Sequence, residues 1–189
     1  PLIHGPPGTG KTTAVAELIR QAVRRGERVL ATAPSNIAVD NLAETLAGSD
    51  LRVVRVGHPA RLLPSVVELS LDAQVARHPH TKAALELRRD LAKAVKRLRR
   101  ARDYAQRRAT RDEIRALRRS VTEAEEDAVR AVLKGSDVVL ATCTGAGDAI
   151  LARQEFDLAV VDESNRHSGD VLLAHVFGDV ALQIGNDSL

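Results

Sequence analysis

The stretch that most constrains this chain is Gly5-Pro6-Pro7-Gly8-Thr9-Gly10-Lys11-Thr12, which has the spacing G-x-x-x-x-G-K-[ST]. Its glycines let a loop turn backbone N–H groups inward, where a Cβ would keep a phosphate group away. A helix that begins near Lys11 points the positive end of its dipole at the same anion. The motif therefore predicts a nucleoside-triphosphate site, a P-loop between a strand and a helix.

Three residues at the end of this motif have predicted roles in the nucleotide site. Lys11 can reach the β- and γ-phosphates of ATP and so take part in catalysis. The Thr12 hydroxyl is a hard oxygen ligand of the kind that Mg²⁺ prefers. Thr13 completes the predicted nucleotide-binding set, which runs from Gly5 to Thr13.

A P-loop also needs a carboxylate across the sheet, and Val160-Val161-Asp162-Glu163 supplies two at the end of an apolar run. We predict that Asp162 holds Mg²⁺ through a water molecule and that Glu163 acts as the general base for the attacking water. The alternative for Asp162 is an ordinary capping residue at the strand end.

The rest of the chain alternates short β-branched runs with helical patterns, which indicates an α/β fold with a parallel, doubly wound sheet. Residues 138–141 and 158–161 are almost wholly apolar, as in parallel strands that are covered on both faces. Strands are predicted at 2–4, 28–32, 51–56, 137–142, 157–161 and 180–184, and helices at 11–25, 35–47 and about 170–177.

Residues 82–134 interrupt this alternation with two apolar stripes at spacings of three or four, separated by a polar break near Thr110. Each stripe indicates one side of a long helix, and Gly135 is a natural stop for the second. We therefore predict an inserted antiparallel helical hairpin at about 76–134, with arms about 35 Å long at 1.5 Å per residue.

Charge is distributed very unevenly along the chain. Residues 82–119 hold fifteen Lys or Arg against five Asp or Glu, a net +10, while the whole chain carries only +3, which leaves −7 for the rest. Such asymmetry suggests a polyanionic partner near the basic segment. A solvated helical face explains the same pattern, so both interpretations stay open.

Composition limits the setting in which the chain works. One cysteine, Cys143, cannot form an internal disulfide, which favours a reducing compartment. No stretch approaches ~18 consecutive apolar residues, so no membrane span is expected. The predicted location is intracellular, cytoplasmic or, in a eukaryote, nuclear. Strand-like runs close to both termini predict that the chain is truncated at both ends.

Several segments in this order resemble the superfamily-one helicases of the up-frameshift and immunoglobulin-mu-binding-protein type. Besides the P-loop, they are Ala33-Pro34-Ser35-Asn36-Ile37-Ala38-Val39-Asp40, Gly57-His58-Pro59-Ala60-Arg61, Ala141-Thr142-Cys143-Thr144-Gly145-Ala146-Gly147 and Asp162-Glu163-Ser164. The resemblance implies that residues 1–189 form one RecA-like motor domain, the amino-terminal half of a helicase core. It further implies ATP and Mg²⁺ as cofactors, single-stranded RNA or DNA as partner, and a second RecA-like domain elsewhere. We expect a monomer.

The resemblance also implies which residues touch the bound strand: Ser35, Asn36, Thr142, Thr144 and Gly145. Small hydroxyls, amides and loop N–H groups can bind phosphate and sugar without reading sequence. Simpler roles fit the same positions, since Ser35 precedes an apolar helix as an N-cap would, and Thr142 and Thr144 fit a strand end and turn. Cys143 is predicted to be inert, and a turn before Pro59 accounts for His58 and Arg61.

Two positions depart from the family pattern. Arg166 stands where the family usually has a glutamine near the γ-phosphate. Gly185-Asn186 stands where the family normally has Gly-Asp, so Asn186 replaces the aspartate. These changes favour an alternative function, a degenerate, non-catalytic nucleic-acid-binding P-loop module. A P-loop kinase for a small substrate is a third possibility, but it leaves the Ala33–Asp40 segment unexplained.

Overall fold

The computed structural model describes residues 2–3, 10–58, 61–101, 103–162 and 171–175. The chain divides into two compact units. One, the sheet unit, comprises Pro1–Ala73 with Leu133–Leu189, and the other, the helical unit, is Gln74–Val132.

The sheet unit is built on a six-stranded sheet in the order β1-β6-β5-β2-β4-β3. The four strands β5, β2, β4 and β3 are parallel neighbours, whereas β6 runs antiparallel to both β5 and β1. This arrangement confirms the predicted α/β class with a parallel P-loop sheet. The strands are β1 (Leu2–Ile3), β2 (Val29–Ala33), β3 (Val53–Arg55), β4 (Val138–Thr142), β5 (Leu158–Asp162) and β6 (Val171–His175).

The helices α1 (Lys11–Arg24) and α2 (Asn36–Leu46) bury their apolar faces in the core of this unit. Apolar residues recur on each helix at spacings of three or four, which places them on one face. Strands β2 and β4 are buried almost throughout, as expected for parallel strands covered on both sides. The shared core includes Val15, Ile19, Val29, Ala31, Val39, Leu42, Leu46, Val138, Leu140, Leu158 and Val160.

The helix predicted at about 170–177 is wrong, because residues Val171–His175 form β6. This run is a short, continuous apolar stretch whose periodicity fits a helix and a buried strand equally well. Pairing with β5 decides between them, with Val161 opposite Leu172 and Asp162 opposite Val171. The strand predicted at 180–184 lies outside the described residues.

The helical unit contains the two long helices that the sequence predicts, α4 (Pro79–Arg100) and α5 (Tyr104–Lys134), the last two residues of α5 belonging to the sheet unit. Ion pairs of 2.5 Å join Arg88 to Glu125 and Arg97 to Glu113. Because the partners on α5 come in the reverse order, the helices are antiparallel. A shorter helix, α3 (Leu71–Arg77), and a 3-10 helix at Pro64–Leu69 precede the two long helices.

No helix of the described chain is both long and apolar enough to cross a membrane.

The break between the long helices lies earlier than predicted. Helix α4 ends at Arg100, and α5 begins at Tyr104, whose first turn Asp103 caps by accepting the Gln106 N–H at 3.3 Å. The predicted break near Thr110 is therefore wrong. Ala101 and Ala105 continue the apolar spacing across the true turn, which hides it from a periodicity analysis. At about 1.5 Å per residue the arms measure about 33 and 47 Å.

Two arginines form hydrogen bonds and an ion pair at the amino ends of the strands, at the edge opposite the predicted site. Arg28 donates to the carbonyls of Leu133 at 2.6 Å and Glu155 at 2.7 Å, and burial lowers its pKa. Arg52 pairs with Asp137 across the starts of β3 and β4. Hydrogen bonding to Arg52 lowers the pKa of the Asp137 carboxyl, and the same contact raises the pKa of Arg52.

Candidate nucleotide and nucleic-acid site

Some of the predicted site residues, those that follow β2 and β4 and Asp162 of β5, lie at one edge because these neighbouring parallel strands end there. Ala33, the last residue of β2, lies opposite Thr142, the last residue of β4. On the other side of β2, Thr32 lies opposite Val161 of β5, one residue before Asp162. In open α/β sheets, ligands bind outside the carboxyl ends of the strands. We call this place, formed by residues 33–36, 142–145 and 162, the carboxyl edge.

The described part of the P-loop segment begins at Gly10, directly before α1. Gly10 caps α1 in the left-handed region, with φ 80°, a conformation that favours glycine. Its carbonyl accepts the Ala14 N–H at 3.0 Å, so α1 begins directly at Lys11. The first turn carries no acidic residue that would repel an anion. Lys11 and Thr12 are half-buried and Thr13 is exposed, while residues 4–9 lie outside the described chain.

Asp162 ends β5 with only 4% of its surface exposed. A carboxylate buried to this degree requires a cation or hydrogen-bond donors to offset its lost hydration. Its position at the carboxyl edge fits the predicted metal ligand. Glu163, Arg166 and Asn186, the predicted base and the two departures from the family pattern, lie outside the described residues.

Ser35 serves as the N-cap of α2. Its hydroxyl oxygen accepts the Ala38 N–H at 3.2 Å, and its extended backbone is the usual geometry of an N-cap. The predicted N-cap role of Ser35 is therefore confirmed, and its contact with a bound strand stays a prediction. The cap uses the oxygen as an acceptor only, and the hydroxyl proton can still be donated to a ligand.

A buried charge network holds Asn36, the residue after Ser35. The sequence did not predict this network. Arg55 of β3 is 0% exposed and Asp40 of α2 is 1% exposed. The Arg55 Nε donates to Asp40 Oδ1 at 2.8 Å, and its Nη2 donates to Asn36 Oδ1 at 2.9 Å. The second Asp40 oxygen accepts the Leu63 N–H at 2.9 Å, and Arg55 Nη1 donates to the Val56 carbonyl. The network ties the first turn of α2 to the carboxyl end of β3.

Gly57 belongs to one of the segments that carry the family resemblance, and this network explains why a glycine fits there. A Cβ at Gly57 would lie 2.8 Å from Arg55 Nη1, closer than real Cβ atoms come to other atoms. The guanidinium cannot move aside cheaply because its hydrogen bonds to Asp40, Asn36 and Val56 hold it. Gly57 therefore leaves room for Arg55.

The loop after β4 lies beside the loop after β2, joined by the Cys143 N–H, which donates to the Ala33 carbonyl at 2.9 Å. Thr142 Oγ1 accepts the Gly145 N–H at 3.0 Å and so closes the turn. A Cβ at Gly145 would lie 3.0 Å from that oxygen. Thr144 is exposed on the same turn. The predicted group Thr142, Thr144 and Gly145 is thus a compact turn, as the simpler interpretation of these threonines requires.

The basic segment is exposed along both helices of the helical unit. Within it, Arg88 pairs with Glu125, Arg97 pairs with Glu113, and Lys93 pairs with Asp90. Among the described residues, four exposed arginines flank the turn between the helices: Arg99 and Arg100 at the end of α4, and Arg107 and Arg108 in the first turns of α5.

Three features define a class, the P-loop nucleoside triphosphatases. They are the P-loop sequence, a left-handed glycine before a helix that begins at lysine, and a buried aspartate at the tip of the core strand β5. A family model described as "AAA domain" matches residues 1–167. The chain belongs to this family, and its relatives place it among the superfamily-one helicases, as an amino-terminal motor domain of the up-frameshift and immunoglobulin-mu-binding-protein type.

Three relatives illustrate the match. "DNA-binding protein SMUBP-2" of Mus musculus is 48% identical over 86% of this chain and 17% of its own length. "DNA polymerase alpha-associated DNA helicase A" of Schizosaccharomyces pombe is 38% identical over 87% of this chain and 25% of its own. "Regulator of nonsense transcripts 1 homolog" of Drosophila melanogaster is 38% identical over 86% and 13%. The chain thus spans a quarter or less of the length of these relatives.

Proposed function

We propose that this chain is the ATP-binding first motor domain of a helicase or translocase that couples Mg²⁺-dependent ATP hydrolysis to movement on single-stranded RNA or DNA. The observation that carries the proposal is the carboxyl edge, where the loops after β2 and β4 adjoin each other and β5 ends in a buried aspartate. A motor needs these groups to be adjacent, because hydrolysis of the nucleotide must change the affinity for the bound nucleic acid.

The nucleotide end of the site consists of residues with complementary tasks. Lys11 supplies the positive charge for the β- and γ-phosphates, and the amino end of α1 adds its dipole. Thr12 and Asp162 are the residues to hold Mg²⁺, which when bound neutralises phosphate charge. Glu163 is the proposed general base, and positioning of its water is most of the catalytic task.

The proposed partner is a single strand whose backbone contacts Ser35, Asn36, Thr142, Thr144 and Gly145 at the carboxyl edge. The exposed arginines of the helical hairpin (about 76–134) add a sequence-independent electrostatic contribution. We further propose an intracellular monomer whose full activity requires a second RecA-like domain to complete the ATP site. Alone, the chain should bind nucleotide weakly and unwind nothing.

One specific observation favours a second candidate, a non-catalytic nucleic-acid-binding module. Arg166 places a fixed positive charge where a neutral glutamine is usual in the family. Such a charge could hold ATP in its ground state without lowering the barrier to hydrolysis. ATP turnover that rises when a single strand is added supports the motor, and binding without turnover supports the module.

Replacing Lys11 with alanine should weaken ATP binding by at least ~2 kcal/mol, about 30-fold, because it removes a charge-assisted contact to phosphate. Titration with a fluorescent ATP analogue measures the change. Lys134→Ala is the matched control, since it removes an exposed lysine at the end of α5, before the amino end of β4. Equal affinity in wild type and Lys11→Ala would contradict the phosphate site.

Reversing Arg99, Arg100, Arg107 and Arg108 to glutamate should weaken binding of single strands and flatten its dependence on salt. The logarithm of affinity falls with the logarithm of salt concentration by about 0.7 per phosphate neutralised on a single strand. Replacing the same four with glutamine should give an intermediate slope. If neither set changes affinity or slope, the basic segment is a solvated face.

A further inference from the structure

The buried Arg55 has a consequence for ligand binding that follows from what a guanidinium can do. A guanidinium donates hydrogen bonds and accepts none. Since Arg55 Nη2 lies 2.9 Å from the Asn36 side chain, the atom that faces it must be the amide oxygen. The Asn36 amide is thereby fixed in one orientation, with its NH₂ group at the end directed away from Arg55.

We propose that Arg55 is a positioning residue, which fixes Asn36 so that its NH₂ group donates to phosphate oxygens of a bound single strand. The inference rests on the proposed function, which places Asn36 at the nucleic-acid contact, and it adds the residue that orients this contact. Asn36 is half-buried on the first turn of α2, at the carboxyl edge. An unrestrained asparagine could turn its oxygen outward and repel the same phosphate.

The hydroxyl groups of two further residues at the carboxyl edge can also donate a hydrogen bond to a ligand. Ser35 accepts from the Ala38 N–H, and Thr142 accepts from the Gly145 N–H. Because each hydroxyl oxygen accepts a hydrogen bond from the protein, its proton can still be donated to a ligand. Three side chains at the carboxyl edge thus keep a donor that a ligand can use. Phosphate and sugar oxygens are acceptors that every nucleotide carries, whereas donors occur only on particular base edges, so this arrangement favours the backbone.

The geometry of the network shows why arginine is needed at this position. One planar fork contacts Asp40 through Nε, Asn36 through Nη2 and the Val56 carbonyl through Nη1. Asp40 lies one helical turn after Asn36 on α2, so both side chains face β3. A lysine ammonium is a point charge on a flexible stem and lacks the rigid fork that holds these groups together. Arg55→Lys therefore keeps the charge beside Asp40 but releases Asn36.

The test is a double-mutant cycle on the affinity for a fluorescent thymidine oligonucleotide of about 20 nucleotides, chosen to exceed the site sizes of about 4–16 nucleotides seen in other single-strand-binding folds. Arg55→Lys and Asn36→Ala should each weaken binding about tenfold, the cost of one charge-assisted hydrogen bond. If Arg55 acts through Asn36, the double variant should also lose about tenfold rather than about a hundredfold. Affinity for the ATP analogue should stay within about twofold in all three variants.

A further variant, Asn36→Asp, tests the inference even if one of the other variants fails to fold. It keeps an oxygen facing Arg55 while it replaces the outward NH₂ group with an acceptor, so strand affinity should fall by more than in Asn36→Ala. A strand of the same length without bases shows which part of the nucleotide is bound, and Asn36→Ala should lose the same factor on both strands.

Three results would overturn the inference alone, each with a wild type that binds: losses that multiply in the double variant, unchanged affinity in Asn36→Asp, or a loss confined to the strand that carries bases. A wild-type chain that binds neither strand would overturn the proposed function and the inference with it.

Discussion

Replacing Arg55 with methionine is expected to lower the free energy of unfolding by about 3–5 kcal/mol, the usual cost of removing one partner of a buried ion pair. Asp40, only 1% exposed, would keep its charge without the guanidinium that offsets it. Methionine fills similar space, so the effect reports on charge and hydrogen bonds rather than on a cavity. Unfolding in urea, followed by circular dichroism, measures it.

Arg52→Met is the matched control. Arg52 lies three residues earlier and also pairs with an aspartate, Asp137, but its side chain is 70% exposed. Exposed pairs contribute about 0–1 kcal/mol, so the control should change stability little. Combining Arg55→Met with Asp40→Leu should recover part of the loss, because no charge is then left buried. Equal effects at Arg52 and Arg55 would contradict the importance of burial.

The ends of α1 and of the central strands could be predicted because local sequence decides them. Helix α1 begins at Lys11, where the motif places it, and β4 and β5 lie within one residue of their predicted limits. Such apolar strands have few alternatives once helices cover both faces. Parallel pairing then brings the carboxyl ends of these strands to one edge of the sheet.

Long-range pairing decides the features that sequence analysis missed. Strand β6 depends on its antiparallel partner β5, and nothing within residues 171–175 distinguishes it from a helix. The side chains that Arg55 contacts, Asp40 and Asn36, lie 15 and 19 positions before it, so local periodicity does not show the network. A usable signal did exist: an arginine directly after two valines in a short strand, and an aspartate among the buried residues of a helix. Charged residues are rarely buried without partners, so the two could have been matched.

Asp162, the last residue of β5, and Glu163, the next residue in the sequence, have different proposed tasks, so their removal should have different effects. Asp162 is buried at the tip of the strand, and Glu163 follows it directly. A metal ligand contributes to nucleotide binding and to hydrolysis, because Mg²⁺ is present in both states. A general base contributes only when the proton moves, so its loss should leave binding intact.

Glu163→Gln should therefore lower strand-stimulated ATP hydrolysis by about 10²–10⁴-fold, the usual contribution of a general base, while ATP affinity stays within about twofold. Asp162→Asn should weaken binding of the Mg²⁺ complex of ATP and leave the weaker, metal-free binding unchanged. Phosphate release, measured in a protein that contains this domain and a second motor domain, gives the rates, and analogue titration with and without Mg²⁺ gives the affinities.

Glu155→Gln, which alters an exposed glutamate before β5, is the matched control and should change neither the rate of hydrolysis nor the affinity for ATP. If Glu163→Gln hydrolyses ATP as fast as wild type, the base lies elsewhere. If wild type itself shows no turnover that a single strand stimulates, the chain is the binding module that Arg166 favours.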